Sequence, residues 1–275
     1  VMTAAAPRPG SADVLGILAG GGALPVVVAK AAERAGRPVH IVAIDGFAGA
    51  EIEPFPHTRI SLGQLDRLVG ALRGAGARDL VIVGTLARPD LAKLRFDLGI
   101  LRYAATARSL MRGGDDALLR RVVRFFESLG FTVRGVSEIA PELAAKAGAL
   151  GALRPDATQE KALERGRALI AALAPFDVAQ ATVCEGDCAL AVEGADGTDA
   201  MLARVAGGTK RLGAVLVKLP KPGQELRVDM PVIGLETVRR AADAVRRERD
   251  LRRHLDEREP LRRVRQPLPD RHDLH

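Results

Sequence analysis

The chain alternates short apolar runs with stretches of helical composition, and this pattern predicts strands and helices in turn. Residues 14–19 form an apolar run that ends in three glycines, and residues 23–35 then have helical composition. Apolar runs at 39–44 and 80–83, with a helical stretch at 64–73 between them, continue the alternation. Strands that alternate with helices predict a parallel sheet covered on both faces.

Beyond residue 100 the pattern becomes helical, and Asp115 opens a predicted helix that stops at Gly130. The stretch 131–155 is rich in Ala and interrupted by Pro and Gly, which is typical of a connection between domains. The pattern of the remaining chain is again mixed. It predicts helices at 158–173 and from Thr198 and Leu235, and strands at 178–184, 189–192 and 214–217.

These elements predict an α/β protein with two α/β domains joined by a linker, the first domain with a Rossmann-like parallel sheet. The predicted segments are a flexible N-terminus at 1–12, an N-terminal domain at 13–134, a linker at 135–156, a C-terminal α/β domain at 157–245 and a charged, flexible tail at 246–275.

Composition and charge exclude several classes of protein. Apolar residues make up 47% and charged residues 27% of the chain, values that fit neither collagen, nor a disordered chain, nor a coiled coil. One Tyr, seven Phe and no Trp leave few platforms on which bases could stack, which disfavours nucleic-acid binding. The net charge of +7 comes partly from the tail, where ten Arg face seven acidic residues, so the rest is only mildly basic.

The two cysteines, Cys184 and Cys188, form no disulfide framework, and their spacing is not that of a zinc site. A reducing cytoplasm is the expected compartment. The first twelve residues lack the apolar core of a signal peptide, and glycines and a proline interrupt residues 14–32 too often for a membrane span.

The glycines Gly20, Gly21 and Gly22 lie between a predicted strand and a predicted helix. Backbone amides and the helix dipole at such a turn favour a phosphate or pyrophosphate group. The spacing matches neither a dinucleotide fingerprint nor a phosphate-binding loop ending in Lys-Ser or Lys-Thr. A turn that simply requires positive φ angles has the same pattern.

Two acidic groups are candidate Mg2+ ligands. Asp115 and Asp116 stand at a helix start, where they could instead cap the helix. Glu193 and Asp199 flank a turn with two glycines that also contains Thr198, and acidic turns of this kind are common on protein surfaces.

The segment 218–231 combines three prolines with Lys218, Lys221, Gln224, Arg227 and the carboxylate of Asp229. Fixed cations next to a carboxylate are what phosphoryl transfer to water requires, because charge is stabilised beside a group that holds a metal or orients the nucleophile. A rigid exposed loop is the alternative interpretation.

Four separated motifs together resemble one family. The glycine loop at 15–25, the helix start at 114–120, the acidic loop at 192–201 and the segment 218–234 resemble, in this order, the UDP-2,3-diacylglucosamine pyrophosphatases of the LpxI type. The resemblance spans roughly residues 13 to 245.

The resemblance implies a Mg2+-dependent hydrolase of lipid A biosynthesis that splits UDP-2,3-diacylglucosamine into UMP and 2,3-diacylglucosamine 1-phosphate. It also implies two domains with the substrate between them, and a homodimer. The expected location is the cytoplasm, with peripheral contact to the inner face of the inner membrane. The family's essential aspartate stands in an Asp-Leu-Pro-Thr-Ile-Gly motif, which here reads Asp-Met-Pro-Val-Ile-Gly from Asp229. Asp229 is therefore the predicted catalytic residue and a predicted Mg2+ ligand.

The remaining candidate site residues follow from the same motifs. Predicted substrate contacts are Gly20, Gly21, Gly22, Thr198, Lys218, Lys221, Gln224 and Arg227, and further predicted metal ligands are Glu193, Asp199, Asp115 and Asp116.

Two other functions stay open. One is a dinucleotide-binding oxidoreductase that uses the first strand, the glycine loop and Asp45. The other is a non-enzymatic adaptor for an anionic surface or nucleic acid that uses the Arg-rich tail.

Overall fold

The structure is a computed structural model that describes residues 13–86, 115–208 and 213–245. The chain divides into two compact units. The first consists of the described residues up to Leu150 together with Gly223–Met230, and the second consists of the described residues of Gly151–Pro222 and those from Pro231 onward.

The first unit contains a five-stranded sheet in which every paired strand is parallel to its neighbour. The strand order is β3-β2-β1-β4-β5. This confirms the predicted parallel sheet. The strands are β1 (Leu15–Ala19), β2 (Val39–Ile44), β3 (His57–Ile60), β4 (Asp79–Val83) and β5 (Thr132–Val133).

Helices cover both faces of this sheet. The helices are α1 (Leu24–Arg34), α2 (Leu65–Gly74), α3 (Asp115–Ser128) and the single turn α4 (Val136–Ile139). On one face, Leu72 of α2 and Phe126 of α3 belong to an apolar cluster with strand residues such as Leu80. On the other face, Val28 of α1 packs in a second cluster with Ile17 of β1.

The apolar pattern does not predict β3 and β5. Among the described strands β3 pairs with β2 alone, and it contains His57, Thr58 and Arg59, so it has no continuous apolar run. At the other edge, β5 has two residues, which is too short for a periodicity.

The second unit contains a three-stranded antiparallel sheet with the order β7-β6-β8. Its apolar cluster is small and includes Val183, Met201 and Leu202. Its elements are α5 (Ala157–Leu173), β6 (Ala181–Glu185), β7 (Cys188–Val192), α6 (Gly197–Ala206), β8 (Val215–Lys218) and α7 (Leu235–Val245).

The helix α5 starts at a capping box. The Asp156 side chain accepts a hydrogen bond from the Gln159 amide at 2.8 Å, and the Gln159 side chain accepts one from the Asp156 amide at 3.0 Å. Each bond satisfies an amide that a helix start leaves without an intrahelical partner. This pair defines where the second unit's first helix begins.

The segment Gly223–Met230 belongs to the first unit, although the sequence prediction includes it in a C-terminal domain at 157–245. The Val228 side chain packs against the apolar cluster of the first sheet, and Arg227 pairs with Glu127 of α3. The packing of the apolar Val228 side chain favours a place in the first unit, although the neighbouring stretches of chain belong to the second unit. The other predicted domain boundaries stay predictions.

Several predictions fall outside the described residues, namely the flexible N-terminus at 1–12, the charged tail at 246–275 and the side chain of Asp115. Among the helices that the structure describes, none combines the length and apolar composition that crossing a bilayer would require.

Candidate functional site

The glycine loop lies at the carboxyl edge of the first sheet. Strands β1 and β4 are parallel neighbours, so the glycines after β1 meet Gly84 and Thr85 after β4. In the order β3-β2-β1-β4-β5, the strands that follow β1 along the chain, β2 and β3, lie on one side of it, whereas β4 and β5 lie on the other side. Ligands of open α/β sheets bind at such a point.

The three glycines have different roles in this loop. The Gly20 amide donates to the Val83 carbonyl at 2.9 Å, and the Gly21 amide donates to the Thr85 carbonyl at 2.8 Å. A Cβ on Gly20 would lie 2.7 Å from the Thr85 carbonyl oxygen. Gly22 is exposed, has a φ of 88°, and has nothing within 4 Å of where a Cβ would lie. The amides of Gly20 and Gly21 are thus used to hold the loop against the end of β4 and the residues after it. Gly22 is therefore the glycine that a ligand could approach.

Asp229, the predicted catalytic residue, lies in a turn within the segment Gly223–Met230. The Asp229 amide donates to the Glu225 carbonyl at 3.0 Å. The buried Gln224 side chain donates to the Asp229 carbonyl at 2.7 Å and also to the Asp229 carboxylate. Gln224, a predicted substrate contact, is thus placed where it orients Asp229.

Arg227 uses its guanidinium on two carboxylates. Its Nε and Nη2 each donate to Glu225 at 2.8 Å, and its Nη1 donates to Glu127 at 2.7 Å. The hydrogen bond from Arg227 lowers the pKa of Glu225, and the bond to Glu225 raises the pKa of Arg227. The structure therefore pairs this predicted substrate contact with protein carboxylates.

A second set of contacts holds the start of the same segment. Arg120 of α3 donates to the Gly223 carbonyl at 2.8 Å and pairs with Asp116 at 2.7 Å. The Asp116 carboxylate accepts from the Glu225 amide at 3.3 Å. Sequence reasoning missed Arg120 and Glu127 as site residues. Their spacing of seven residues, which places both on one face of a helix, was the available signal.

The candidates of the second unit form a hydrogen-bonded chain of side chains. The Lys218 ammonium donates to the Thr198 hydroxyl at 2.6 Å, and that hydroxyl donates to Glu193. The other oxygen of Glu193 accepts from the Gln180 amide at 2.9 Å. Strand ends and the start of α6 bring these three predicted residues together, although 25 positions separate Glu193 from Lys218.

The other two charged candidates of the second unit are paired separately. Lys221 forms an ion pair with Asp177, and the Lys221 side chain is 10% exposed. Asp199 lies 3.5 Å from Arg240 of α7 and is 58% exposed. The structure therefore pairs Asp199 with α7.

Comparison with known proteins identifies the family. The family model of the LpxI N-terminal domain matches residues 14–143, and that of the LpxI C-terminal domain matches residues 146–248. The chain belongs to the LpxI family. It is similar to the UDP-2,3-diacylglucosamine pyrophosphatase LpxI of Caulobacter vibrioides, with 39% identity over 238 residues, 84% of this chain and 85% of that protein. The LpxI resemblance predicted from four motifs is confirmed.

In the part of this LpxI chain that the structure describes, the carboxylates do not form a preassembled metal cage. Within 13–86, 115–208 and 213–245, no three His, Cys, Asp or Glu side chains group closely enough to hold a metal ion. The carboxylates of Glu193, Asp116 and Asp229 each accept from a protein donor. Mg2+ is often held by one or two carboxylates together with substrate phosphates and needs no cage of protein ligands. A single carboxylate such as Asp229 fits this way of binding.

Proposed function

We propose that this chain hydrolyses the pyrophosphate bond of UDP-2,3-diacylglucosamine, with Mg2+, to give UMP and 2,3-diacylglucosamine 1-phosphate for lipid A biosynthesis. The observation that carries the proposal is the 39% identity to the named pyrophosphatase over 84% of the chain. The family assignment favours this hydrolase over the dinucleotide-binding oxidoreductase and over the adaptor.

Asp229 is the proposed catalytic residue. Gln224 donates to its carboxylate, a backbone turn holds its main chain, and an oriented carboxylate can direct a water molecule to a phosphorus atom or accept its proton. Asp229 would also hold Mg2+, which would neutralise charge on the pyrophosphate. Glu193 accepts from Gln180 and Thr198, and these bonds support a structural role, while its predicted contact with Mg2+ stays a prediction.

The substrate carries a nucleotide diphosphate and two acyl chains, and the chain offers groups suited to each. Lys218 and the open backbone at Gly22 suit phosphate oxygens. Acyl chains require apolar surface. Val232, Ile233, Leu235 and Val238 are each more than half exposed, which supports contact with a lipid substrate.

The homodimer and the cytoplasmic location with peripheral contact to the inner membrane are further parts of the proposal. Light scattering of the purified chain tests the first, and we expect twice the monomer mass of 29.1 kDa. Flotation with vesicles of inner-membrane lipids tests the second. A monomer, or protein that stays below the vesicles, would contradict the respective part.

The experiment that tests the function follows turnover of UDP-2,3-diacylglucosamine by mass spectrometry. Release of both UMP and 2,3-diacylglucosamine 1-phosphate is the expected result. A chelator should stop turnover, and added Mg2+ should restore it. Full turnover in excess chelator would contradict the metal dependence, and the absence of both products with Mg2+ present would contradict the function.

A further inference from the structure

We propose that Arg227 is a positioning residue, which joins Glu127 of α3 to Glu225 and so fixes the segment that carries Asp229. This proposal rests on the proposed function, because Asp229 is the catalytic group in that reaction. It replaces the sequence prediction that Arg227 contacts the substrate.

The geometry of the guanidinium is the first argument. Arg227 places two donors on Glu225, at 2.8 Å each, and a third on Glu127 at 2.7 Å. Glu225 lies in the segment itself, whereas Glu127 lies on the helix α3. The planar fork of Arg suits such two-sided pairing, because its donors keep a fixed arrangement. The pair therefore ties the segment to a regular element.

The connection from this ion-pair cluster to Asp229 is short. Glu225 accepts the Asp229 amide through its backbone carbonyl, at 3.0 Å, and accepts Arg227 through its side chain. A shift of Glu225 therefore moves the turn that presents Asp229. Arg120 holds the start of the segment at Gly223 and Asp116 accepts from the Glu225 amide, so loss of Arg227 would release the Glu225 side chain and leave the start attached.

Charge is the second argument. One guanidinium faces the two carboxylates of Glu127 and Glu225, so the three side chains together carry a negative charge. A phosphate group approaching Arg227 would meet this excess of negative charge and would have to displace a carboxylate. An arginine that binds an anion is expected where positive side chains outnumber negative ones. Around Arg227, the two carboxylates outnumber the one guanidinium.

The test compares Arg227→Ala, Arg227→Lys and Glu127→Ala by steady-state kinetics and by hydrogen exchange of residues 223–230. The matched control is Arg34→Ala, which removes the 3.1 Å pair of Arg34 with Glu142 on the surface of the first unit. Exchange in β1 and β4 reports whether each variant is folded, because none of the variants lies in these strands.

We expect Arg227→Ala to lower kcat by about tenfold or more with KM changed by less than about threefold, because it disturbs Asp229 and no substrate contact. Amide exchange in residues 223–230 should accelerate by about tenfold or more, since local opening becomes easier. Glu127→Ala should give the same pattern to a smaller extent. Arg227→Lys should lie between Arg227→Ala and the unchanged protein, because Lys cannot form the paired bonds.

A rise in KM for Arg227→Ala with unchanged exchange at 223–230 would overturn the proposal and restore Arg227 as a substrate contact. Unchanged kcat, or a fall in kcat without faster exchange, would overturn it as well. If the unchanged protein does not hydrolyse the substrate, the proposed function fails. Hydrogen exchange then still decides whether Arg227 anchors the segment, so the two failures are distinguishable.

Discussion

The two units build their candidate sites from different parts of the polypeptide. In the first unit, the glycine loop is built from backbone groups, because the amides of Gly20 and Gly21 donate to the carbonyls of Val83 and Thr85, whereas side chains such as Arg227 hold the segment of Asp229. In the second unit, the side chains of Glu193, Thr198 and Lys218 form one hydrogen-bonded chain. Adding a Cβ to a glycine is expected to disturb a loop built from closely packed backbone. A network of side chains is disturbed when a hydrogen-bond donor or a charge is removed.

The sheets underlie this difference. Five parallel strands bring several carboxyl ends to one edge, so neighbouring loops pack backbone against backbone. The three antiparallel strands of the second unit bring alternate ends together, and their apolar cluster is small. Four predictions test and refine the comparison.

The largest expected effect is on turnover by Asp229→Ala. Loss of one acid-base or electrostatic contact lowers kcat by about a hundredfold or more, and substrate binding should persist. The measurement pairs single-turnover kinetics with a thermal melt. Gln224 also donates to the Asp229 backbone carbonyl, so the variant should keep a normal melt. A lowered melt with near-normal turnover in the folded fraction would show that Asp229 only stabilises the turn.

The next effect compares Gly20→Ala with Gly22→Ala. A Cβ on Gly20 would lie 2.7 Å from the Thr85 carbonyl oxygen and 2.9 Å from the Gly84 carbonyl carbon, and backbone atoms yield little. We expect a loss of about 2–3 kcal/mol in the free energy of unfolding. Gly22→Ala meets open space and should cost about 1 kcal/mol from its positive φ. Equal losses in denaturant titrations would contradict the assigned difference between the two glycines.

In the second unit, Thr198→Val should lower the free energy of unfolding by about 1–2 kcal/mol, because Glu193 and Lys218 lose the hydroxyl between them. Thr198→Ser keeps the hydroxyl and is the matched control. If Lys218 contacts the substrate as predicted, Thr198→Val should also raise KM. An unchanged KM with lowered stability would limit the network to a structural role.

The smallest effect concerns pH. Arg227 lowers the pKa of Glu225 through a hydrogen bond, so the ionised form stabilises the folded state. This stabilisation is present above the ordinary pKa of Glu, 4.5, and is lost as pH falls through the lower folded value. Glu225→Gln should therefore differ most from the unchanged protein near pH 7, and the difference should shrink below pH 4.5. A constant difference from pH 7 to pH 3 would contradict the coupling.

Periodicity and motifs together predicted much of this molecule. The strand predicted at 39–44 is observed with the same bounds. The helix that begins at Asp115 ends at Ser128, two residues before Gly130, where the sequence predicts its end. Local signals determine such elements, because apolar runs and glycine turns act over a few neighbouring residues. The LpxI family was also predictable, since its motifs are continuous in sequence. The edge strand β3 was not, because an edge strand needs no continuous apolar run.

Sequence by itself determined the alternation of elements, the family and the choice of Asp229 as the residue to test. Only the tertiary structure decided that Gly223–Met230 belongs to the first unit, that Arg227 faces Glu127 across 100 positions, and that Gly20 packs against Gly84. The physical reason is the range of the interactions. Ion pairs, buried amides and close backbone contacts depend on which distant residues the fold brings together, and one chain's local pattern carries no record of those partners.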